Sequence, residues 1–233
     1  MKETPILFKP EMVRAVLSGT KKQTRRVVKP LTPPKGVLPL ELKPWIIGGE
    51  QEVDDHGSPC WAGTHPDYPT GEKWFSCPYG KVGDRLWVRE QMEVVSCTEN
   101  HIVVKYCADG TISGNLPYPS RLKGTPIVGK KLAYGGYREA SRLNLKIGDI
   151  RVERVADISA EDAIKEGIES KFSKILRCDA YRNYGFKPTK HVKEDWLKCP
   201  IASFRTLWNS INERRGYSWT SNPWVWVIEF ENI

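Results

Sequence analysis

Lysine, threonine and arginine crowd into one stretch of this 233-residue sequence, Gly19-Thr20-Lys21-Lys22-Gln23-Thr24-Arg25-Arg26. A lysine three residues before a threonine approaches its hydroxyl if the chain turns between them; in an extended strand the two side chains point to opposite faces. Such a lysine takes a proton from threonine only when burial or neighbouring cations lower its pKa, and Lys22, Arg25 and Arg26 push in that direction. The stretch therefore reads in two ways, as a basic surface turn or as a nucleophile with its base. Together with Lys29 these residues form the densest cationic group of the chain, suited to phosphates on a nucleotide or polynucleotide.

Other chemistries have weaker footing. His56, Cys60, His65 and Cys77 fall within 22 residues, but their spacings contain neither a Cys-x-x-Cys pair nor a compact His-x3–5-His half-site, so no metal site is expected. The sequence has no Gly-x-Ser-x-Gly elbow, no Gly-x4-Gly-Lys-Ser/Thr phosphate loop and no Gly-x-Gly-x-x-Gly after a strand. The common hydrolase, NTPase and dinucleotide-binding signatures are thus missing, and no cofactor is expected.

The elements that must position the basic stretch follow from periodicity. Met12, Val13, Val16 and Leu17 share one helical face between Pro10 and Leu17, and Gly19 is placed to end that helix in a left-handed conformation. Residues 85–90 and 102–106 read as strands after turn signals. Leu143, Leu145 and Ile147 alternate up to Gly148-Asp149, which predicts a turn into a second strand over 150–155, a hairpin-like pair. Ser159-Ala160-Glu161-Asp162 resembles a capping box and opens a short helix that carries Glu166. A longer helix runs from Pro200 through Ile201, Phe204, Leu207, Trp208 and Ile211. Trp224 to Phe230, rich in β-branched and aromatic residues, is a strand. Two stretches rich in proline and glycine, 31–80 and 107–140, break any regular period and read as insertions. Trp87, Trp208, Trp224 and Trp226 belong to periodic elements and read as core. Trp61, Trp74 and Trp219 sit in irregular surroundings and are candidates for stacking on a base; Trp219 beside Tyr217 and Arg214-Arg215 is the most suggestive, with a hydrophobic lid as the alternative.

Composition bounds these readings. A length of 233 residues fits a single domain over 1–233 with insertions, and a hydrophobic share of 39% with nine tryptophans supplies a core. Thirty-six basic against 28 acidic residues give a net charge of +8, a statement about partners and not about chemistry. No apolar run approaches the ~20 residues of a membrane-spanning helix. No secretory leader is evident, and six cysteines without repeated spacing read as reduced thiols, so a cytoplasmic location is expected. Strands separated by insertions, with a few helices outside, predict an α+β fold built on a small mixed β-barrel.

Several separated motifs together resemble the ASCH family. They are Ile6-Leu7-Phe8-Lys9-Pro10, the spacing Gly19-x-Lys21-x-x-Thr24-x-Arg26, Gly83 to Glu90, Asp157-Ile158-Ser159-x-Glu161-Asp162-Ala163-x-x-Glu166-Gly167-Ile168, and the strand Trp224 to Phe230. More narrowly the chain resembles the enlarged members found in bacteriophages and prophages, and most of 31–80 and 107–140 lies outside the compact family core. The resemblance implies a PUA-like mixed β-barrel with flanking helices and a cleft for RNA, nucleotides or modified bases. Some compact members are amidohydrolases that remove the acetyl group of N4-acetylcytidine with Lys, Thr and Glu. Carried over by motif, Lys21 becomes proton acceptor, Thr24 nucleophile and Glu166 proton donor, with Arg26, Lys22, Arg25 and Trp219 as substrate-binding candidates. Position 22 is Lys where compact members often have Thr. The alternatives are a noncatalytic PUA-like module that binds RNA or a modified nucleobase, and an ASCH-type ribonuclease. The expected partner is a nucleoside or modified base, with RNA as a second ligand and no membrane.

Overall fold

The computed structural model describes residues 1–29, 46–47, 52–53, 59–65, 68–120, 127–132, 137–174, 177–192 and 194–233, and between 46 and 75 the backbone strands alone. In chain order the elements are β1 (Glu3–Leu7), α1 (Pro10–Leu17), β2 (Gln23–Val27), β3 (Ile46–Ile47), β4 (Glu52–Val53), β5 (Pro59–His65), β6 (Tyr68–Ser76) and β7 (Arg85–Arg89). They continue with β8 (Met92–Cys97), β9 (His101–Tyr106), β10 (Leu116–Pro117), β11 (Lys131–Leu132), β12 (Asn144–Arg154) and α2 (Ala160–Lys165). The last are β13 (Ser170–Ser173), β14 (Cys178–Arg182), β15 (Trp196–Leu197), α3 (Pro200–Asn212) and β16 (Trp224–Asn232). The fold is α+β.

The sheet that matters for function has the order β1-β7-β12-β16-β2, with β1 parallel to β7 and every other pair antiparallel. Its hub is β16, whose alternate residues feed two cores. Trp226, Ile228 and Phe230 join Phe8, Val13, Val16 and Leu86 on one face, while Val225 and Val227 join Ala163, Ile168, Phe204 and Trp208 beneath α2 and α3 on the other. A strand apolar on both faces is the expected sequence of a central strand buried from both sides.

β12 corrects the expected hairpin. Gly148-Asp149 is not a turn: β12 runs unbroken for 11 residues, with a bulge between Ile147 and Asp149. The extra residue shifts the alternation by one, so Leu145, Ile147, Ile150 and Val152 all face the first core although their spacing is not uniformly two. The same shift sends Arg151 and Glu153 to the opposite face, toward α2.

The expected barrel is not closed. Among the described residues no ladder joins the sheet edges β1 and β2. In a flat sheet these edges would stand four strand spacings, about 19 Å, apart. Yet Arg26 on β2 donates from Nη2 to the Leu7 carbonyl of β1 at 2.8 Å. The sheet therefore curls until its edges face each other across a gap bridged by a side chain.

The regions read as insertions carry secondary structure of their own. β5 pairs with β3, β4 and β6. Within 107–140, β10 and β11 flank the β8–β9 pair in a second sheet, with a separate core of Met92, Val94, Ile102, Val104 and Tyr106. A third sheet, β13-β14-β15, lies against α3. No helix of the described residues is long and apolar enough to cross a membrane, and the described cysteines, 77, 97, 107, 178 and 199, are free thiols.

Candidate functional site

Three chain segments meet where α1 ends, β2 begins and α2 ends. α1 stops at Leu17, Gly19 takes φ +73°, and the Lys21 amide donates back to the Ala15 carbonyl at 2.9 Å. α2 is opened by Ser159, whose hydroxyl accepts from the Asp162 amide at 3.0 Å, and it ends at Glu166. Gly167 follows with φ +80°, and a Cβ there would lie 2.7 Å from the Lys21 Cβ and 2.8 Å from the Ala15 Cβ. Only a residue without a side chain lets the three segments come this close.

The consequence is a buried ion pair. Lys21 and Glu166, 145 residues apart in sequence, face each other in an isolated antiparallel bridge. The Lys21 Nζ donates to the Glu166 carbonyl at 2.7 Å and to its Oε2 at 2.9 Å. Lys21 is 3% exposed and Glu166 4%. Burial lowers the Lys21 pKa from its ordinary value, and the opposing charge and hydrogen bond of Glu166 only partly offset it. The Lys21 Nζ also lies 5.6 Å from the centre of the Phe8 ring.

Strand alternation in β2 separates the neighbouring candidates. Gln23 and Arg25 point toward α2: the Gln23 Nε2 donates to the Asp162 carbonyl at 3.0 Å. Arg25 has a fully buried side chain and donates to Glu166 Oε1 at 3.3 Å, Glu153 Oε2 at 3.0 Å and Asp162 Oδ2 at 3.0 Å. Arg151 reaches the same Asp162 oxygen at 2.8 Å and Glu229 at 2.6 Å. An alternating network of charges thus runs from Lys21 through Glu166, Arg25 and Asp162 to Arg151. Asp162 lies below its ordinary carboxylate value: burial pushes it up, but the Arg25 hydrogen bond and the charges of Arg25, Arg151 and Lys165 outweigh that.

Thr24 and Arg26 take the other face. Thr24 is 2% exposed and pairs with Ile228 of β16. The Arg26 guanidinium lies 5.6 Å from the Phe8 ring centre, and its Nε is buried without a partner. Burial pushes its pKa down, with Tyr79 and Glu166 opposing, but a guanidinium starts so high that it stays charged.

Both sets border one cavity of about 530 Å³ in the gap between β1 and β2. Thr24, Arg25, Arg26 and Glu166 line its base, and Phe204, Leu207, Trp208 and Ile211 of α3 form an apolar wall. Glu166 also lines an adjoining cavity of about 180 Å³ shared with Arg182 and Tyr184.

Of the residues singled out by sequence, Thr24, Arg25, Arg26 and Glu166 line this cavity, and Lys21 does not line it but bonds Glu166. No hydrogen bond joins Lys21 to Thr24 among the described residues, because the ammonium is given over to Glu166. The sequence reads Arg25 as a phosphate ligand; in the structure its side chain is fully buried, Nη1 and Nη2 donate to carboxylates, and Nε has no partner. Lys22 is exposed and does not line the cavity, its backbone amide bonding the Lys165 carbonyl at 2.8 Å. Trp219 is likewise no base platform in this cleft. It sits in a 3-10 turn, its amide donating to Asn209 Oδ1 at 2.8 Å and its ring meeting Phe204 edge-on at 6.2 Å, so the lid reading describes it better. Of the histidine and cysteine set, His56 lies outside the described residues, as do the side chains of Cys60 and His65. No metal-ligating group of three occurs among the described residues.

Sequence reasoning missed Lys9, Tyr79 and the Asp162–Arg151 network. The signal for the network was present in the spacing of Arg151 and Glu153, but it faces α2 only because of the bulge. No family model, curated protein or solved structure matches the chain.

Proposed function

We propose that this chain is an amidohydrolase acting on an acylated or otherwise modified cytidine-like nucleoside, on a PUA-like frame of the ASCH type. The observation that carries the reading is the buried Lys21–Glu166 contact of 2.9 Å on the rim of a cavity that Thr24 also lines. A base, an acid and a hydroxyl nucleophile around one cleft are what amide hydrolysis requires. The curled, unclosed sheet with helices outside supports the frame.

The reaction requires Lys21 as the neutral amine with the shared proton resting on Glu166 across their 2.9 Å contact, and burial disfavours the Lys21 ammonium. Lys21 takes the Thr24 hydroxyl proton as Oγ attacks the acyl carbon. The tetrahedral oxyanion is stabilised by Arg26. As the carbon–nitrogen bond breaks, Glu166 gives its proton to the departing amine, leaving an acyl-Thr24 ester and the Lys21–Glu166 ion pair. A water then attacks the ester, Glu166 takes the water proton, and Lys21 returns a proton to Thr24. The net reaction is amide plus water to carboxylic acid plus amine, with both partners of the pair restored. Arg25 holds the Glu166 carboxyl from the side opposite Lys21.

The test is incubation with N4-acetylcytidine and other acylated cytidines, with products resolved by mass spectrometry. Wild-type protein releases cytidine and acetate without added metal, and Thr24→Val lowers the rate by about 10³-fold or more. Binding without product, or full activity in Thr24→Val, overturns catalysis in favour of a module that holds a modified base.

A further inference from the structure

The cleft carries cations beyond Arg26, the one that the amide chemistry uses. Lys9 before α1, Arg26 on β2, Lys29 just after it and Arg215 after α3 reach the same cavity from separate parts of the fold. Lys9, Lys29 and Arg215 have no carboxylate partner among the described residues. Arg26 uses one donor on the Leu7 carbonyl and keeps a buried Nε with no partner. Among the described residues the sole carboxylate on the cavity wall is Glu166, which already receives Lys21 and Arg25. Glu166 acts on Arg26, but the other three cations repel one another and Arg26 around about 530 Å³ with no carboxylate partner among the described residues, and a buried donor left without an acceptor is costly. Both terms turn favourable when a dianion enters.

The apolar lining limits what else the ligand carries. Phe204, Leu207 and Ile211 of α3 border the same cavity, as do Tyr79 and Tyr217. A flat ring joined to a group with two negative charges matches both kinds of lining, and the volume suits one small molecule and not a strand. We infer that Lys9, Lys29 and Arg215 form a phosphate subsite beside Arg26, so that the ligand of this cleft is a phosphorylated mononucleotide in preference to a free nucleoside. The inference rests on the nucleoside reading above for the base, while the phosphate contacts stand on their own residues.

Calorimetric titration with cytidine, cytidine 5′-monophosphate, uridine, uridine 5′-monophosphate and a cytidine hexanucleotide tests it. Charge-assisted contacts of this number should make each monophosphate about tenfold or more tighter than its nucleoside at low salt. The monophosphate-to-nucleoside ratio should fall toward one in the Lys29→Ala/Arg215→Ala double variant, whose two side chains are exposed and whose fold is checked by its thermal melt. A ratio near one in the wild type, a ratio that survives in the double variant, or no heat with any ligand overturns the subsite. A hexanucleotide that binds more tightly than the monophosphate, with a salt slope beyond that of a single phosphate, overturns the mononucleotide assignment in favour of a nucleic-acid strand. Equal affinities for the cytidine and uridine series with the phosphate ratio intact would remove the cytidine reading and support the phosphate subsite.

Discussion

Replacing Arg25 by methionine tests whether the charge network holds the site together. The fully buried guanidinium contacts Glu166, Glu153 and Asp162 at 3.0–3.3 Å. Removing one partner from a buried pair costs about 3–5 kcal/mol, because the other charge is left uncompensated. Here no acid is stranded. Glu166 keeps Lys21 at 2.9 Å and Asp162 keeps Arg151 at 2.8 Å. Asp162 and Glu153 also have side chains 15% and 26% exposed, so water reaches them. The loss should therefore sit at the lower end, about 3 kcal/mol. With a urea m-value near 2 kcal/mol/M the midpoint drops by about 1.5 M. The sign of the pH dependence follows from Asp162. Its carboxyl is held below the ordinary 3.8 in the folded protein, so it contributes stability that is present above the unfolded value and lost as pH falls through the folded one. Without Arg25 most of that depression goes. The gap between wild type and variant should be widest at neutral pH and narrow below about pH 4 as the carboxyls protonate. A midpoint shift under about 0.5 M, or a gap that stays constant on acidification, would refute the reasoning.

Gly167→Ala should destabilise by roughly 2–4 kcal/mol, from a left-handed residue bearing a side chain plus overpacking against Lys21 and Ala15; thermal melts measure it, and acetate release should fall with it because the Lys21–Glu166 contact is pushed apart. The rate of acetate release should fall as pH rises through a midpoint below the free-lysine range, since the reactive pair shares one proton between Lys21 and Glu166, and its loss, which burial of Lys21 brings to lower pH, leaves no acid for the departing amine. A pH–rate profile with its basic limb at the ordinary lysine value would show that Lys21 is not the base.

Legibility in sequence followed the apolar periodicities. Helix α1 occupies the expected Pro10–Leu17, the Ser159 cap opens α2, α3 starts at Pro200, and Trp224 begins the last strand. The basic stretch was harder, because a run of cations reads as a solvated turn. Residues 23–27 are instead a strand with Gln23, Thr24 and Arg25 buried. They are buried because acids from β12 and α2 neutralise Arg25, a pairing across more than 125 residues that no local pattern encodes. Gly148-Asp149 carried a true signal of irregularity, but a bulge and a turn share the same residue preferences. Lys21 and Glu166 were identified by family-like spacing, and their contact depends on Gly167, where a missing side chain matters more than any residue type.

The position of β16 bears on when this site comes into existence. β16 lies inside the sheet, between β12 and the edge strand β2, and it is the only ladder partner of β2 among the described residues. A chain emerging from the ribosome therefore carries Lys21, Thr24 and Arg26 from the outset without a frame to hold them. The cleft can assemble only after residues 224–232 have been made and have threaded into place. Such long-range pairing is slow to form, so the basic segment remains an open, unshaped polycation until β16 pairs with β2, and only then is the cleft shaped around it.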